Sequence, residues 1–174
     1  MAMTDDTAKD NGSFTCKSMD FPYTVDVSFP GHLEYIPAMR KFIAELLQVS
    51  NFNAKFAYRS EIIVDEICNN AVTYGCRNEN SLIELSNTIF EDRIEFNIRD
   101  QGGTKENLRR LRHAIDATDE HKTEDTRQGG GGLGLEIVRT LSERLDVVID
   151  EKNLTSVHVV RKREEERDDS EAST

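Results

Sequence analysis

Hydrophobic and polar positions alternate strictly from residue 23 to residue 29. Tyr23, Val25, Val27 and Phe29 fall on one side, and Thr24, Asp26 and Ser28 on the other. A period of two predicts a strand with one buried face. Pro30 and Gly31 then supply a turn. From Met39 the period changes: Met39, Phe42, Ile43, Leu46 and Leu47 recur at i, i+3, i+4, i+7 and i+8, the stripe of an amphipathic helix. Pro37 falls in the first turn of that helix, where a missing N–H is tolerated. After a polar break at residues 50–53, Phe56, Ser60, Ile63, Ile67 and Ala71 mark a second helix, which Gly75 ends.

Two alternating runs follow at residues 81–90 and 93–99, separated by Glu91 and Asp92, and predict a β-hairpin that ends at Asp100. From Gly103 to Gly129 the chain is polar, with a weak helical pattern at Leu108, Leu111 and Ile115 and then a charged run. A connection of that length in a compact domain points to a lid. The glycines at 129–132 open a third helix, in which Leu133, Ile137, Leu141 and Leu145 recur at steps of four. Strands at 147–149 and 155–160 complete the pattern. The element order predicts an α+β fold, with helices covering one face of a largely antiparallel sheet.

A chain of 174 residues is expected to form one domain with a core of its own. The net charge of -11 is concentrated at the ends, with three Asp and one Lys in residues 1–12, and six acids and one Arg in 164–174. Residues 1–15 and 164–174 hold too little apolar surface to offset ordering and are expected to be disordered, leaving a folded domain over 16–163 with a lid at about 104–128. Such acidity argues against direct contact with nucleic acid or an anionic membrane, both of which need clustered Lys and Arg. Cys16, Cys68 and Cys76 show no CxxC spacing, and His32, His113, His121 and His158 no metal-ligand spacing. The cysteines read as reduced thiols and Cys68 as a buried structural one. No run approaches a membrane span or a signal peptide, so a cytoplasmic location is expected.

Three separated segments carry candidate chemistry. Glu66 and Asn70 stand four apart on the second helix and so project from one face, where a carboxylate and an amide oxygen can serve a metal-bound phosphate as base and ligand. Asp100-Gln101-Gly102-Gly103 follows a strand; its carboxylate can accept from the amino group of a base while bare backbone admits the ring. Residues 129–135, Gly-Gly-Gly-Gly-Leu-Gly-Leu, lead into a helix whose free amides and dipole suit an anion. Each alone also reads as something plainer: a solvated helix face, a turn, a flexible loop. The glycine run matches neither the P-loop nor the dinucleotide-binding pattern.

Taken in order, EIIVDEICNNAVTYG, RDQGG and GGGGLGLEIVRTLSERLDVVID resemble the N box and two glycine boxes of the GHKL ATPases. Residues 29–43, FPGHLEYIPAMRKFI, are similar to the opening of the anti-sigma-factor serine kinases within that superfamily. The resemblance implies a Bergerat-type two-layer sandwich with a mixed, mostly antiparallel sheet. It implies Glu66 as general base, Asn70 as magnesium ligand, and Asp100 as reader of the adenine amino group, with Gly102 admitting the ring. Gly130, Gly132, Gly134 and Leu135 would belong to the phosphate loop, and Thr155 would lie near the adenine. ATP or ADP with Mg2+ is the implied cofactor set. Implied partners are a STAS-domain anti-anti-sigma protein, phosphorylated on serine, and a sigma factor, with the kinase a homodimer. The alternative is a non-catalytic module that sequesters a regulator in a nucleotide-dependent way. Thr104 stands at the second glycine position of the first glycine box, Tyr74 where related kinases carry His, and Leu154-Thr155 where a Gly-Thr pair is usual.

Overall fold

The computed structural model describes residues 20–119 and 133–163. In chain order these form β1 (Tyr23–Pro30), a 3-10 turn (Leu33–Tyr35), α1 (Ile36–Val49), α2 (Ala54–Gly75), β2 (Leu82–Ile89), β3 (Arg93–Arg99), α3 (Lys105–Asp119), α4 (Leu133–Leu141), β4 (Arg144–Ile149) and β5 (Thr155–Lys162). The five strands make one sheet in the order β1-β2-β3-β5-β4, and all four pairings are antiparallel. β5 therefore inserts between β3 and β4. Its first residues pair with the last of β3, Arg99 opposite Ser156.

The alternation read from the sequence sets the two faces. Ile83, Leu85 and Ile89 of β2, Ile94, Phe96 and Ile98 of β3, and Val157 and Val159 of β5 are buried and join one core with Ile43 and Leu47 of α1 and Ile63, Val64 and Ile67 of α2. Each such side chain taken from water contributes roughly 1.5–3 kcal/mol before entropy is charged. The opposite face is polar: Arg93 pairs with Glu95 at 2.8 Å, and His158 stands 3.5 Å from both Glu95 and Asp146. This is the α+β sandwich that the element order predicts, with the sheet antiparallel throughout the described residues.

Local chemistry sets the helix ends. Asn53 Oδ1 accepts from the Phe56 N–H at 2.8 Å and starts α2. Thr104 Oγ1 accepts from the Asn107 N–H at 3.2 Å and its carbonyl from Leu108 at 3.0 Å, so the threonine at the second glycine position starts α3. The segment with the weak pattern at Leu108 and Leu111 is a full helix, and the pattern is weak because only one narrow side of it is covered. The helix after the glycine run is consequently the fourth, and it stops at Leu141 rather than continuing through Leu145. The Glu143 N–H donates to the Val160 carbonyl at 2.9 Å and begins the β4–β5 ladder, which carries Leu145. Residues 120–132 of the expected lid and glycine run, and the segments 1–15 and 164–174, lie outside the described residues.

One buried cation ties the layers together. Arg161 on β5 is 3% exposed; it donates to the carbonyls of Phe56 and Leu141 and, at 2.8 Å, to Ser60 Oγ, with its guanidinium 3.9 Å over the Phe56 ring. Arg161→Ala takes the guanidinium donor from the Leu141 carbonyl and from Ser60 Oγ, whereas the Phe56 carbonyl still accepts from Ser60 Oγ at 2.9 Å; a buried acceptor left unpaired costs about 1–3 kcal/mol. Denaturant unfolding is expected to show a loss of about 3 kcal/mol or more; a loss below about 1 kcal/mol contradicts the pinning role.

Candidate nucleotide-binding site

α2 buries Ile63, Ile67 and Ala71 against the sheet, and Glu66 and Asn70 stand at the margin of that stripe, half-buried. Burial first, and the neighbouring Asp65 charge second, push the Glu66 carboxyl above its ordinary value. Asp65 itself faces Arg40 of α1 at 3.3 Å. The Asn70 amide nitrogen is buried without a hydrogen-bond partner. The first turn of α4 lies directly over this pair. A Cβ at Gly134 would run into Glu66 Oε2 and would lie 3.8 Å from Asn70 Nδ2. Glycine there lets the positive end of a helix rest on a carboxylate and an amide.

The second part of the site comes from the sheet. Because β5 runs beside β3, Asp100 at the end of β3 meets Thr155 at the start of β5: the Asp100 N–H donates to the Thr155 carbonyl at 3.1 Å. Asp100 Oδ1 accepts from the backbone N–H groups of Gly102 at 2.9 Å and Thr155 at 3.2 Å. The carboxyl is 7% exposed and fills the space over Gly75 at the end of α2. Burial pushes the Asp100 carboxyl up, opposed by those two N–H groups.

Asn70, Asp100 and Thr155 are the polar lining of one slot whose walls include Ile67, Ile98, Leu135 and Val157. Thr155 Oγ1 is buried without a partner, as is Asn70 Nδ2. A buried polar atom left unpaired costs about 1–3 kcal/mol. Two of them facing one apolar slot fit a flat ligand with polar edges. The free space is about 10 Å³, room for one water molecule, because Leu111 of α3 packs on Leu135 of α4.

Of the residues singled out from the sequence, Glu66, Asn70, Asp100, Gly134, Leu135 and Thr155 are brought together. Gly102 is adjacent but lines no wall: it has φ +76°, and a Cβ there would meet the Asn153 carbonyl. Its geometry serves the turn that holds Asp100. Gly130 and Gly132 lie outside the described residues. Sequence reasoning missed Leu111 as the cover of the slot and Arg77, whose Nε donates to the Gly102 carbonyl at 2.8 Å. Thr104, a residue type favoured at N-caps, was an available sign that a helix starts at α3.

Residues 29–160 match the protein family described as the histidine kinase-like ATPase domain. The chain belongs to that family. It is 27% identical over 128 residues, 72% of its own length and 78% of the relative's, to the serine-protein kinase RsbW of Bacillus licheniformis. It is 26% identical over 149 residues, 84% and 92% of the two chains, to the serine-protein kinase RsbW of Staphylococcus epidermidis. The RsbW of Halalkalibacterium halodurans is 25% identical over 130 residues, 74% and 78% of the two chains. The GHKL resemblance read from the three boxes and the family match agree.

Proposed function

We propose that the protein is an ATP-dependent serine protein kinase that also holds a sigma factor, and that its phosphoryl acceptor is a STAS-type anti-anti-sigma protein. The observation that carries this reading is the continuity of one site: a base-reading end at Asp100 and Thr155, and a reacting end at Glu66 and Asn70 beneath the N-terminus of α4. The serine-protein kinase relatives support the same chemistry.

Asp100 accepts a hydrogen bond from the adenine amino group, and the unpaired Thr155 hydroxyl takes a second polar atom of the ring. The first-turn amides of α4, with the glycines before it, receive the phosphates. Asn70 would hold magnesium, which would supply neutralisation of the phosphate charge. Glu66 takes the proton of the incoming serine hydroxyl as its oxygen bonds to the γ-phosphorus and the bond to the ADP oxygen breaks. A raised carboxyl pKa makes Glu66 a stronger base at neutral pH than an exposed glutamate. A pure binding module has no use for a half-buried carboxylate there.

The same reading makes the protein a cytoplasmic homodimer. No helix among the described residues is long and apolar enough to cross a membrane. Cys68 is buried on α2 and its thiol is pushed up to about 12, by burial first and by Asp65 second, which suits packing rather than chemistry.

The test incubates the purified protein with magnesium, γ-labelled ATP and a purified STAS protein from the same organism. Label on a serine of the STAS protein is expected. Tight ATP binding with no transfer to any such partner replaces the kinase with the nucleotide-dependent sequestering module.

A further inference from the structure

We propose that Arg77 is a positioning residue that sets the preference of the site for adenine over guanine by holding the Gly102 turn, and through it the carboxylate of Asp100. This rests on the nucleotide reading above and adds a residue to it.

Arg77 follows Cys76, the C-cap of α2. Its loop is fastened at its base, where Ser81 Oγ accepts from the N–H of Arg77 at 3.1 Å and of Asn78 at 3.3 Å; Ser81 is 2% exposed. From there the side chain reaches the turn after β3, and Nε donates to the Gly102 carbonyl at 2.8 Å. Gly102 donates its own N–H to Asp100 Oδ1 at 2.9 Å. The residue that reads the base is therefore held by Gly102 together with Thr155, and Gly102 by Arg77.

Three features make this link matter. Gly102 has φ +76°, and a glycine there has more alternative conformations to escape into than any other residue. The turn is confined on two sides: a Cβ at Gly102 would strike the Asn153 carbonyl and would lie 3.2 Å from Arg77 Nη2. Finally, the Asp100 carboxyl fills the space over Gly75, two residues before Arg77, so one chain end braces Asp100 both directly and through the turn. Without the guanidinium the Gly102–Gly103 peptide, which carries the Gly102 carbonyl, loses its restraint, and φ and ψ at Gly102 are free to change. The preceding peptide then shifts, its Gly102 N–H leaves Oδ1, and the carboxylate turns away from the direction that the amino group of adenine requires. Guanine presents a carbonyl at that ring position and gains nothing from a correctly aimed carboxylate. The loss thus falls on adenine nucleotides.

The test uses the full chain with Arg77→Met, which keeps an apolar stem and removes the donor, and Arg77→Lys, which retains a cationic donor. Magnesium-dependent affinities for ATP and GTP are measured by competition, with thermal midpoints and the kcat and KM for ATP alongside. For Arg77→Met, ATP affinity is expected to fall about tenfold, the size of one lost hydrogen bond to a constrained group. GTP affinity stays unchanged, so the ATP-to-GTP ratio falls by the same factor. KM rises while kcat at saturating ATP holds, because Glu66 and Asn70 are untouched, and Arg77→Lys recovers most of the ratio. An unchanged ratio, or equal weakening of ATP and GTP with a lowered thermal midpoint, overturns the proposal and leaves Arg77 as a fold contact. Absence of adenine nucleotide binding by the unaltered protein instead overturns the nucleotide reading itself, and this inference with it.

Discussion

Glu66→Gln is expected to bind ATP with magnesium within about twofold of the unaltered protein and to transfer phosphate about 10²- to 10⁴-fold more slowly, the usual contribution of a positioned general base. Glutamine keeps the size of the side chain and its fit under Gly134, so the α2–α4 contact survives. It cannot take the serine proton. The pH profile separates this from a loss of folding. The Glu66 carboxyl is held above its ordinary value by burial and by Asp65, so it gains its proton at a higher pH than an exposed glutamate does. Transfer by the unaltered protein should fall as pH drops through that raised range, and the residual activity of Glu66→Gln should show no such limb. The linkage sign also protects the test. A raised carboxyl pKa in the folded state contributes stability at low pH that is lost as pH rises through it, so removing the charge leaves stability at neutral pH no lower. Full transfer by Glu66→Gln would sink the base assignment.

The second large effect is on recognition. Asp100→Asn can keep both backbone bonds, with its amide oxygen accepting from Gly102 and Thr155 as Oδ1 does now. Its amide nitrogen then presents a donor to the amino group of adenine, and two buried donors face one another. ATP affinity is expected to fall about 10- to 100-fold, the range of a buried donor left unpaired. Stability should move the other way. Burial holds the Asp100 carboxyl above its ordinary value, so ionising it in the folded protein at neutral pH costs stability, which grows as pH falls through the raised range. The neutral asparagine removes that cost. Calorimetric titration beside thermal unfolding without nucleotide checks both halves. Unchanged ATP affinity, or GTP bound as tightly as ATP by the unaltered protein, contradicts Asp100 as the reader of the base.

These outcomes rest on contacts that differ in how far they could be read from residue order. Glu66 and Asn70 share a helix, and a spacing of four on a helix decides that they share a face. Asp100 follows a strand whose alternation is unbroken from Ile94 to Ile98, so its place at a strand end was equally visible. Arg77 left no such trace. Nothing local distinguishes an arginine in a polar loop from any solvated one, and its partner lies 25 residues on, in the turn after β3.

The sequence by itself determined β1, α1, α2, the β2–β3 hairpin and the order of the three boxes, because burial periodicity and the conformational needs of glycine act over a few neighbouring residues. It also placed Thr104 where it could open a helix. Only the tertiary structure decided that β5 enters between β3 and β4, which brings Thr155 to Asp100 from 55 residues away. The folded chain likewise decided that Gly134 settles on Glu66, that Leu111 closes on Leu135, and that Arg77 holds the Gly102 turn. Those contacts are chosen by which surfaces remain to be buried once the sheet and α2 have packed, and that choice has no period along the chain.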